Sequence, residues 1–528
     1  MKRWLACAAG LILISTAVCS RAEIPGDTLV MAWQFDDIIT LDPAEIFEFS
    51  GAEYAANTYD RLIGYDIGDV SRIRGEAAES WTVSDDGKTY TFRIRDGISF
   101  TSGNPLTARD AAFSLHRLIL LNKSPAFILS QFGYTPENVR EKIRASDDRT
   151  LVMETDKVYA PTFLLYCLTA TVGSVVDMNT VMTHEQDGDM GHAWLRTRHA
   201  GSGPFHLKSW KAGESIFLDR NDRYWKGPSR MRRVILRHIA EPATQRLLLE
   251  KGDVDIARNL GPDQIAGITA NRDIVIQTAP KGGLFYLGLN QKHEVLKHPG
   301  VRQALKYLVD YEGIAGTILK GAMVVHQAFL PRGFLGALEE KPFSLDVKQA
   351  RALLAEAGYP EGFAVSMDVR NAFPTIDMAQ SIQSTFALAG VKVEILPMDA
   401  KQAITKYRAR NHEIHIGRWG PDYQDPHTNA GTFAANPDNA DDADAKTLAW
   451  RNAWDIPDMT RKTAAAVVER DPVKRARMYL DLQKEHQAVS PFVILFQDIE
   501  TAACRANVKQ FVLGPSFDSN VYRLTEKE

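Results

Sequence analysis

The sequence has few cysteines and no strong net charge. Only 4 of its 528 residues are cysteine, far fewer than in small domains that depend on disulfides. Lys and Arg number 62 against 66 Asp and Glu, which gives a formal net charge of −4. The basic excess that is typical of nucleic-acid-binding proteins is therefore missing, and we expect no nucleic-acid partner.

Two of the four cysteines, Cys167 and Cys504, lie outside the N-terminal segment. They are far apart in the sequence, and each has apolar neighbours. An oxidising compartment permits a disulfide between them. The apolar surroundings favour two buried free thiols instead.

Familiar catalytic motifs are also missing. The chain has no G-x-x-x-x-G-K-[ST] phosphate loop and no C-x-x-C pair. Residues 201–203 (GSG) lack the spacing of a nucleophile elbow. His412 and His415 are three residues apart, not four as in H-E-x-x-H, and their segment is more typical of a strand with Ile414 and Ile416 facing inward. We therefore expect no catalytic residues, no metal site and no cofactor.

The N-terminus has the pattern of a secretory signal. Lys2 and Arg3 precede an apolar run that ends at Val18, and residues 20–22 (SRA) fit a cleavage site. The run is shorter than the ~20 residues of a membrane-spanning helix. We predict cleavage after Ala22 and a periplasmic mature protein. An uncleaved anchor and a lipoprotein signal at Cys19 are the alternatives.

The rest of the chain alternates helical and strand patterns. Residues 89–98 place Tyr90, Phe92 and Ile94 on one face, which predicts a half-buried strand paired with the segment that carries Trp81. Apolar periodicity predicts helices over 110–121, 301–309 and 346–357.

A strand–helix–strand pattern covers residues 363–369, 378–389 and 391–396. It predicts a parallel sheet with a right-handed crossover. No Gly/Ser-rich linker interrupts the chain, and we find no internal repeat. These features indicate an α/β protein with hinged lobes and no tethered domains.

Six motifs follow one another along the chain, at residues 41–43 (LDP), 78–100, 103–110, 201–205 with 221–225, 301–305 and 350–359. Together they resemble the motifs of the family 5 extracellular solute-binding proteins, which include the dipeptide-, oligopeptide- and nickel-binding components of ABC importers. The resemblance covers essentially the whole chain after residue 22. Most of these residues have structural roles, and we do not assign them to a ligand.

The resemblance implies a periplasmic binding protein type II-like fold, with two hinged lobes and an inserted domain, three domains in all. The predicted division is 1–22 signal peptide, 23–66 domain I, 67–195 domain II (inserted), 196–285 domain I, 286–500 domain III and 501–528 return to domain I. Closure of domains I and III would bury a ligand between them.

The resemblance places the ligand at residues 419–426 (WGPDYQDP). In the family, an aspartate at the position of Asp422 pairs with the α-amino group of a bound peptide. A carboxylate in a turn rich in Gly and Pro is held rigidly, and a closed cleft protects its ion pair from solvent. We expect Trp419, Gly420 and Tyr423 to line the site with it. The alternative is a solvated turn that Asp422 caps.

Arg370 is the second candidate anchor. The resemblance implies that an arginine after this strand binds the peptide carboxylate in the dipeptide-binding members, and a guanidinium suits bidentate binding of a carboxylate. The alternative is a surface arginine at a strand end.

The sequence thus predicts a monomeric, non-catalytic periplasmic protein that delivers a short peptide to ABC permease subunits in the inner membrane. Two alternatives remain. One is the same role for a non-peptide solute, such as an opine-like or sugar-derived compound, a nickel chelate or haem. The other is an exported hydrolase.

Cleavage after Ala22 gives a first prediction. Protein recovered from the periplasm should begin at Glu23, as N-terminal sequencing or intact mass can show. A mass that retains residues 1–22, or a diacylglycerol on Cys19, would contradict the predicted cleavage.

Overall fold

The structure, a computed structural model, describes residues 24–443 and 445–528. The predicted signal segment and its cleavage site lie outside these described residues. Within the described ranges, no helix combines the length and apolar character that crossing a bilayer requires.

The chain alternates strands and helices, as the sequence predicts. The strands are β1 (Thr28–Trp33), β2 (Ile63–Asp66), β3 (Asp69–Gly75), β4 (Ala78–Val83), β5 (Thr89–Ile94), β6 (Ile143–Asp147), β7 (Thr150–Glu154), β8 (Phe205–Lys211), β9 (Ser215–Arg220), β10 (Arg233–His238), β11 (Ile256–Ala257), β12 (Ile274–Leu289), β13 (Met323–Val325), β14 (Ala364–Arg370), β15 (Lys392–Met398), β16 (Ile414–Trp419), β17 (Phe492–Arg505), β18 (Val508–Lys509) and β19 (Glu526–Lys527).

The helices are α1 (Phe49–Thr58), α2 (Ala108–Leu121), α3 (Phe127–Ser130), α4 (Val139–Lys142), α5 (Pro161–Thr169), α6 (Met178–Met182), α7 (His192–Leu195), α8 (Pro242–Lys251), α9 (Pro262–Ile268), α10 (Pro299–Lys306), α11 (Tyr311–Gly316), α12 (Val347–Glu356), α13 (Thr375–Ala387), α14 (Ala400–Arg408), α15 (His427–Phe433), α16 (Leu448–Arg451), α17 (Pro457–Val468) and α18 (Pro472–Val489).

A large mixed sheet forms the framework of the molecule. Its strand order is β15-β14-β16-β12-β17-β11-β1-β10-β9-β8, and β13 pairs with β17 at the side. One half of the sheet belongs to the predicted domain I and contains β11, β1, β10, β9 and β8. The other half belongs to the predicted domain III and contains β15, β14 and β16. The two halves are therefore joined through β12 and β17.

β12 and β17 form a long antiparallel ladder that runs through both halves. Ile274 pairs with Arg505 at one end, and Gly288 pairs with Phe492 at the other. The register shifts between Pro280 and Leu284, midway along β12. Proline lacks the N–H that a ladder needs, so this interruption falls where the sequence weakens the pairing.

The predicted domain boundaries at 285/286 and 500/501 fall inside these two strands. The division of the chain into domains stays a prediction. β12 and β17 continue across the two predicted boundaries, which is consistent with the absence of a flexible linker in the sequence.

Buried ion pairs join distant segments of the first half. Arg258 donates to Glu53 through both terminal nitrogens, at 2.8 and 3.0 Å. Asn520 also donates to Glu53 at 2.7 Å, and the Tyr522 hydroxyl donates at 2.5 Å. Because Glu53 lies on α1, this network attaches residues near the C-terminus to an early helix.

The segment from 67 to 195 contains a separate sheet with strand order β4-β5-β7-β6. Tyr90, Phe92 and Ile94 are fully buried on one face of β5, which confirms the predicted alternation. β4, which carries Trp81, is its antiparallel partner, as the sequence predicts.

The predicted strand–helix–strand unit is confirmed as β14, α13 and β15, with β14 and β15 parallel. α12 begins after Asp346, whose side chain accepts the backbone N–H of Gln349. The helix predicted over 301–309 ends earlier, at Lys306, although Leu308 and Val309 remain buried. The apolar periodicity therefore predicted correctly which residues are buried, but it did not predict the residue at which the helix ends.

Two further predictions from the sequence can be compared with the structure. Cys167 and Cys504 are both buried free thiols. Residues 414–419 form β16, with Ile414 and Ile416 buried as predicted. His415 stacks on Tyr407 with ring centroids 4.1 Å apart, and His412 contacts Asn452 at 3.0 Å.

A buried ion pair fixes the segment that follows β16. Arg475 of α18 donates to both carboxylate oxygens of Asp425, at 2.7 and 2.8 Å, and neither side chain is more than 1% exposed. Arg475 also donates to Thr162 of the inserted segment at 2.9 Å. Asp425 in turn accepts the backbone N–H of His427. This pair therefore ties residues 420–426 to a long helix and to a neighbouring domain.

Loss of this pair should destabilise the protein strongly. Arg475→Leu leaves the Asp425 carboxylate buried without its partner, which costs about 3–5 kcal/mol of unfolding free energy. Thermal unfolding should show a clear fall in unfolding temperature. Arg477→Leu, on the same helix but 71% exposed and paired with Asp481 at i,i+4, is the matched control and should cost less than about 1 kcal/mol. Equal effects of the two substitutions would contradict this interpretation.

Candidate functional site

The candidate site lies where β16 ends at Trp419, beside the interruption in β12. Residues 420–426 leave the sheet there and lead into α15. The backbone N–H of Asp422 donates to the Thr428 side chain at 3.1 Å. A Cβ on Gly282 would lie 2.8 Å from Pro421, so the glycine allows the loop to approach β12.

The loop lines a cavity of about 300 Å³, which we call the acidic cavity. Trp419, Gly420, Asp422 and Tyr423 all line it, so the structure brings four of the five predicted ligand-binding residues together. The opposite wall comes from residues 46–49 and 52, from 125 and 128, from 169–172 and from 516–518. The cavity therefore lies between the predicted domains I, II and III.

Asp422 contributes a carboxylate without a counterion. Among residues 24–443 and 445–528, no side chain forms an ion pair or hydrogen bond with its carboxylate oxygens. Burial raises the pKa of Asp422 to about 7, because removal from water disfavours the charged form. A ligand cation would remove this penalty and favour the ionised carboxyl.

A second acidic side chain, Glu48, lines the same cavity at the start of α1. It has no ion-pair partner in the described part of the chain. Asp518 lines the cavity as well, but it pairs with Arg61 at 2.6 Å. The charges left uncompensated in this cavity are thus negative.

Aromatic side chains form the wall that faces the loop. Phe49 stacks on Phe517 with ring centroids 4.3 Å apart, and Phe47 contacts Phe127 at 5.9 Å. Phe47 and Phe49 remain 43% and 36% exposed, although both are large apolar groups. A Cβ on Gly420 would lie 2.7 Å from the Phe49 ring, so a larger residue there would require the ring to move.

Trp419 and Tyr423 occupy different environments at the site. The indole Nε1 of Trp419 is buried and has no hydrogen-bond partner in the described residues, which leaves a donor available. Tyr423 is only 6% exposed, and its ring lies 5.8 Å from that of Phe163 in the core of the inserted segment. Tyr423 therefore supports the cavity wall largely from behind.

Arg370 lies outside the acidic cavity. It lines a neighbouring cavity of about 570 Å³, which we call the basic cavity, and Trp419 lines both. Arg370 is exposed at the end of β14, and its guanidinium has no ion-pair partner among the described residues. Asp422 and Arg370 thus line two different cavities that share Trp419.

Sequence reasoning missed the aromatic wall and most of the basic cavity. Phe47, Glu48 and Phe49 lie more than 350 residues before the loop that they face, and no local pattern links the two segments. The one available signal is the pair of phenylalanines that flank Glu48, the N-cap residue of α1.

A third cavity, of about 760 Å³, lies on a different part of the molecule, against β8. Some of its charged groups have partners within the chain, whereas Arg198, Lys208 and Arg223 form no ion pair in the described residues. Asp177 accepts from Ser102 at 2.6 Å, and Arg220 donates to Asp222 at 2.6 Å. We do not assign it a ligand.

Comparison with known proteins places this geometry in a family. Residues 72–441 match the profile described as "Bacterial extracellular solute-binding proteins, family 5 Middle". A probable D,D-dipeptide-binding periplasmic protein, DdpA of Escherichia coli (strain K12), is 28% identical over 96% of each chain. The glutathione-binding protein GsiB of Shigella boydii is 24% identical over 95% of each chain.

Among solved structures, the periplasmic binding protein DppA from Helicobacter pylori, in complex with the peptide STSA, superposes with a TM-score of 0.76. It is 24% identical and covers 95% of this chain and 98% of its own. This likeness confirms the predicted fold, a mixed α/β periplasmic binding protein. The profile match extends over more than half of the sequence, and the chain belongs to the family 5 extracellular solute-binding proteins.

Proposed function

We propose that the protein is the periplasmic solute-binding component of an ABC importer and that it binds a short peptide through the peptide's α-amino group. The observation that carries this proposal is the Asp422 carboxylate, which lines an interdomain cavity without a counterion. An uncompensated carboxylate in a cavity costs free energy in the unliganded protein and becomes favourable only when a cation binds.

The surroundings of Asp422 suit the end of a peptide. The aromatic rings of Phe49 and Phe517 offer an apolar surface for a side chain. The volume of about 300 Å³ lies at the lower end of the range of small-molecule sites. We propose Gly420 and Tyr423 as supporting residues and Arg370 as the anchor for a carboxylate.

The remaining parts of the proposal follow the family. Its members are binding components of transporters, so we propose that this protein delivers its ligand to permease subunits in the inner membrane and does not act as an enzyme. We also propose a monomer that does not bind nucleic acid. A non-peptide solute with an amino group would use the same carboxylate, and an exported hydrolase would be recognised by turnover of the peptides tested.

The central test is the affinity of Asp422→Asn for peptides. Removal of one partner from a buried charge pair costs about 3–5 kcal/mol, or about two to three decades in Kd at ~1.4 kcal/mol per decade. Isothermal calorimetry with di- and tripeptides at pH 7.5 measures this loss. N-acetylated peptides should bind poorly to the wild type and lose little more in the variant.

The pH dependence sharpens this test. Because the free carboxyl has a pKa of about 7, it must lose a proton before it pairs with an ammonium. Wild-type affinity should fall about tenfold per pH unit below pH 7, and Asp422→Asn should lose this dependence. Affinity within about twofold of wild type in the variant would eliminate the amino-anchor role and favour a non-peptide solute.

The same substitution should stabilise the ligand-free protein. The folded-state pKa of Asp422 lies above the ~3.9 of an unfolded chain, so folding stability falls as pH rises from about 4 to 7 and stays lower above that. Asp422→Asn removes this cost. Its unfolding temperature should exceed that of the wild type at pH 8 and should equal it at pH 4. The difference between pKa values of about 7 and ~3.9 corresponds to about 4 kcal/mol of unfolding free energy at pH 8. A lower unfolding temperature at pH 8 would show that the carboxylate has a structural partner.

A further inference from the structure

The basic cavity contains more positive charge than one peptide carboxylate requires. Four arginines line it: Arg370 at the end of β14, Arg408 at the end of α14, Arg418 on β16 and Arg451 at the end of α16. They come from four different elements of domain III. The topology of the sheet and its helices therefore brings them together, although they span more than 80 residues of sequence.

One of the four arginines is compensated. Arg418 donates to Asp498 at 2.9 Å, and among the described residues Asp498 is the one carboxylate that lines the cavity. Arg418 also lies over the ring of Phe49, 5.6 Å from its centroid. It is therefore committed to partners within the protein.

The other three have no acidic partner in residues 24–443 and 445–528. Arg370 and Arg408 are exposed, and no hydrogen bond of either guanidinium is found in that part of the chain. Arg451 lies over Tyr407 at 5.5 Å, and its Nε is buried with no hydrogen-bond partner. An aromatic contact thus orients Arg451 but leaves its hydrogen-bonding capacity unused.

Ordinary structural roles account for only part of this cluster. Arg408 and Arg451 each end a helix, where a cation interacts favourably with the helix dipole. That preference explains each arginine singly, but not the convergence of three uncompensated guanidiniums on one cavity. Like charges that line one cavity repel each other, and an anion bound between them would offset this repulsion.

We infer that the basic cavity is an anion-binding subsite for the acidic groups of the same peptide whose amino group lies at Asp422. This inference rests on the proposed function. A single guanidinium can bind one carboxylate through two parallel hydrogen bonds. Three unpaired guanidiniums exceed the need of a single C-terminal carboxylate. The preferred ligands are therefore short peptides with a free amino terminus and an acidic side chain.

Matched peptide pairs test this inference directly. Glutamate and glutamine have nearly the same shape and differ in charge, so a pair of peptides that differ only in this residue isolates the effect of the extra carboxylate. The pairs are Ala-Glu and Ala-Gln, Ala-Ala-Glu and Ala-Ala-Gln, and Ala-Glu-Ala and Ala-Gln-Ala. Calorimetry at pH 7.5 and 0.15 M salt should show about tenfold or tighter binding of the glutamate peptide in at least one pair.

A variant assigns the preference to the basic cavity. Arg408→Gln should reduce the ratio of the two affinities at least threefold in the preferred pair. Arg477→Gln, which removes an exposed arginine that pairs with Asp481 on α18, should leave the ratio unchanged. The measured quantity is the ratio of the affinities of one protein for the glutamate and glutamine peptides. A variant that binds both peptides more weakly by the same factor therefore leaves this ratio unchanged.

The outcomes separate the two proposals. Peptides that bind with equal affinity within all three pairs would overturn the anion subsite and leave the peptide-binding function standing. A preference that survives Arg408→Gln unchanged would also overturn it. Failure of every peptide to bind would overturn both.

Discussion

The ladder between β12 and β17 is the constraint on which the rest of the structure depends. It places the strands of the predicted domains I and III in one sheet, and the acidic cavity lies beside this shared pair of strands. The ladder is interrupted between Pro280 and Leu284, and Gly282 and Gly283 at this interruption line the acidic cavity. The interruption in the ladder therefore borders the acidic cavity.

The loop that carries Asp422 is held rigidly, in contrast to the interrupted part of the ladder beside it. The loop with Asp422 cannot move independently, because Asp425 three residues later is held by Arg475 in a buried bidentate pair. Buried pairs of this kind are expensive to break and contribute little net stability. Their value here is positional, since they hold an unpaired carboxylate in place before any ligand arrives and so reduce the entropy lost on binding.

The two cavities divide the uncompensated charge. Asp422 and Glu48 leave negative charge in the acidic cavity, whereas three arginines leave positive charge in the basic cavity, and Trp419 lines both cavities. A zwitterion whose charged ends lie apart matches this pattern. A neutral sugar would leave both sets of charges unpaired. Charge complementarity of this kind contributes to specificity as well as to affinity.

The sequence predicted local structure well and the site only in part. Alternation over residues 89–94 and apolar periodicity in α12 predicted real elements, because each pattern records one buried face. Trp419, Gly420, Asp422 and Tyr423 could be placed together because they are neighbours in the chain. Phe49, Arg408 and Arg451 could not be predicted, since tertiary folding alone brings them to the cavities and each is unremarkable in its own segment. Arg370 was predicted as a ligand residue, but its position in a separate cavity could not be read from the sequence.

A crystal structure of the protein with a bound tripeptide tests the account most directly. The account predicts that the peptide's amino nitrogen lies about 2.7–3.2 Å from a carboxylate oxygen of Asp422, with the chain directed past Trp419 towards Arg370. A peptide bound in the opposite direction, with its carboxylate near Asp422, or bound in a cavity without Asp422, would contradict it.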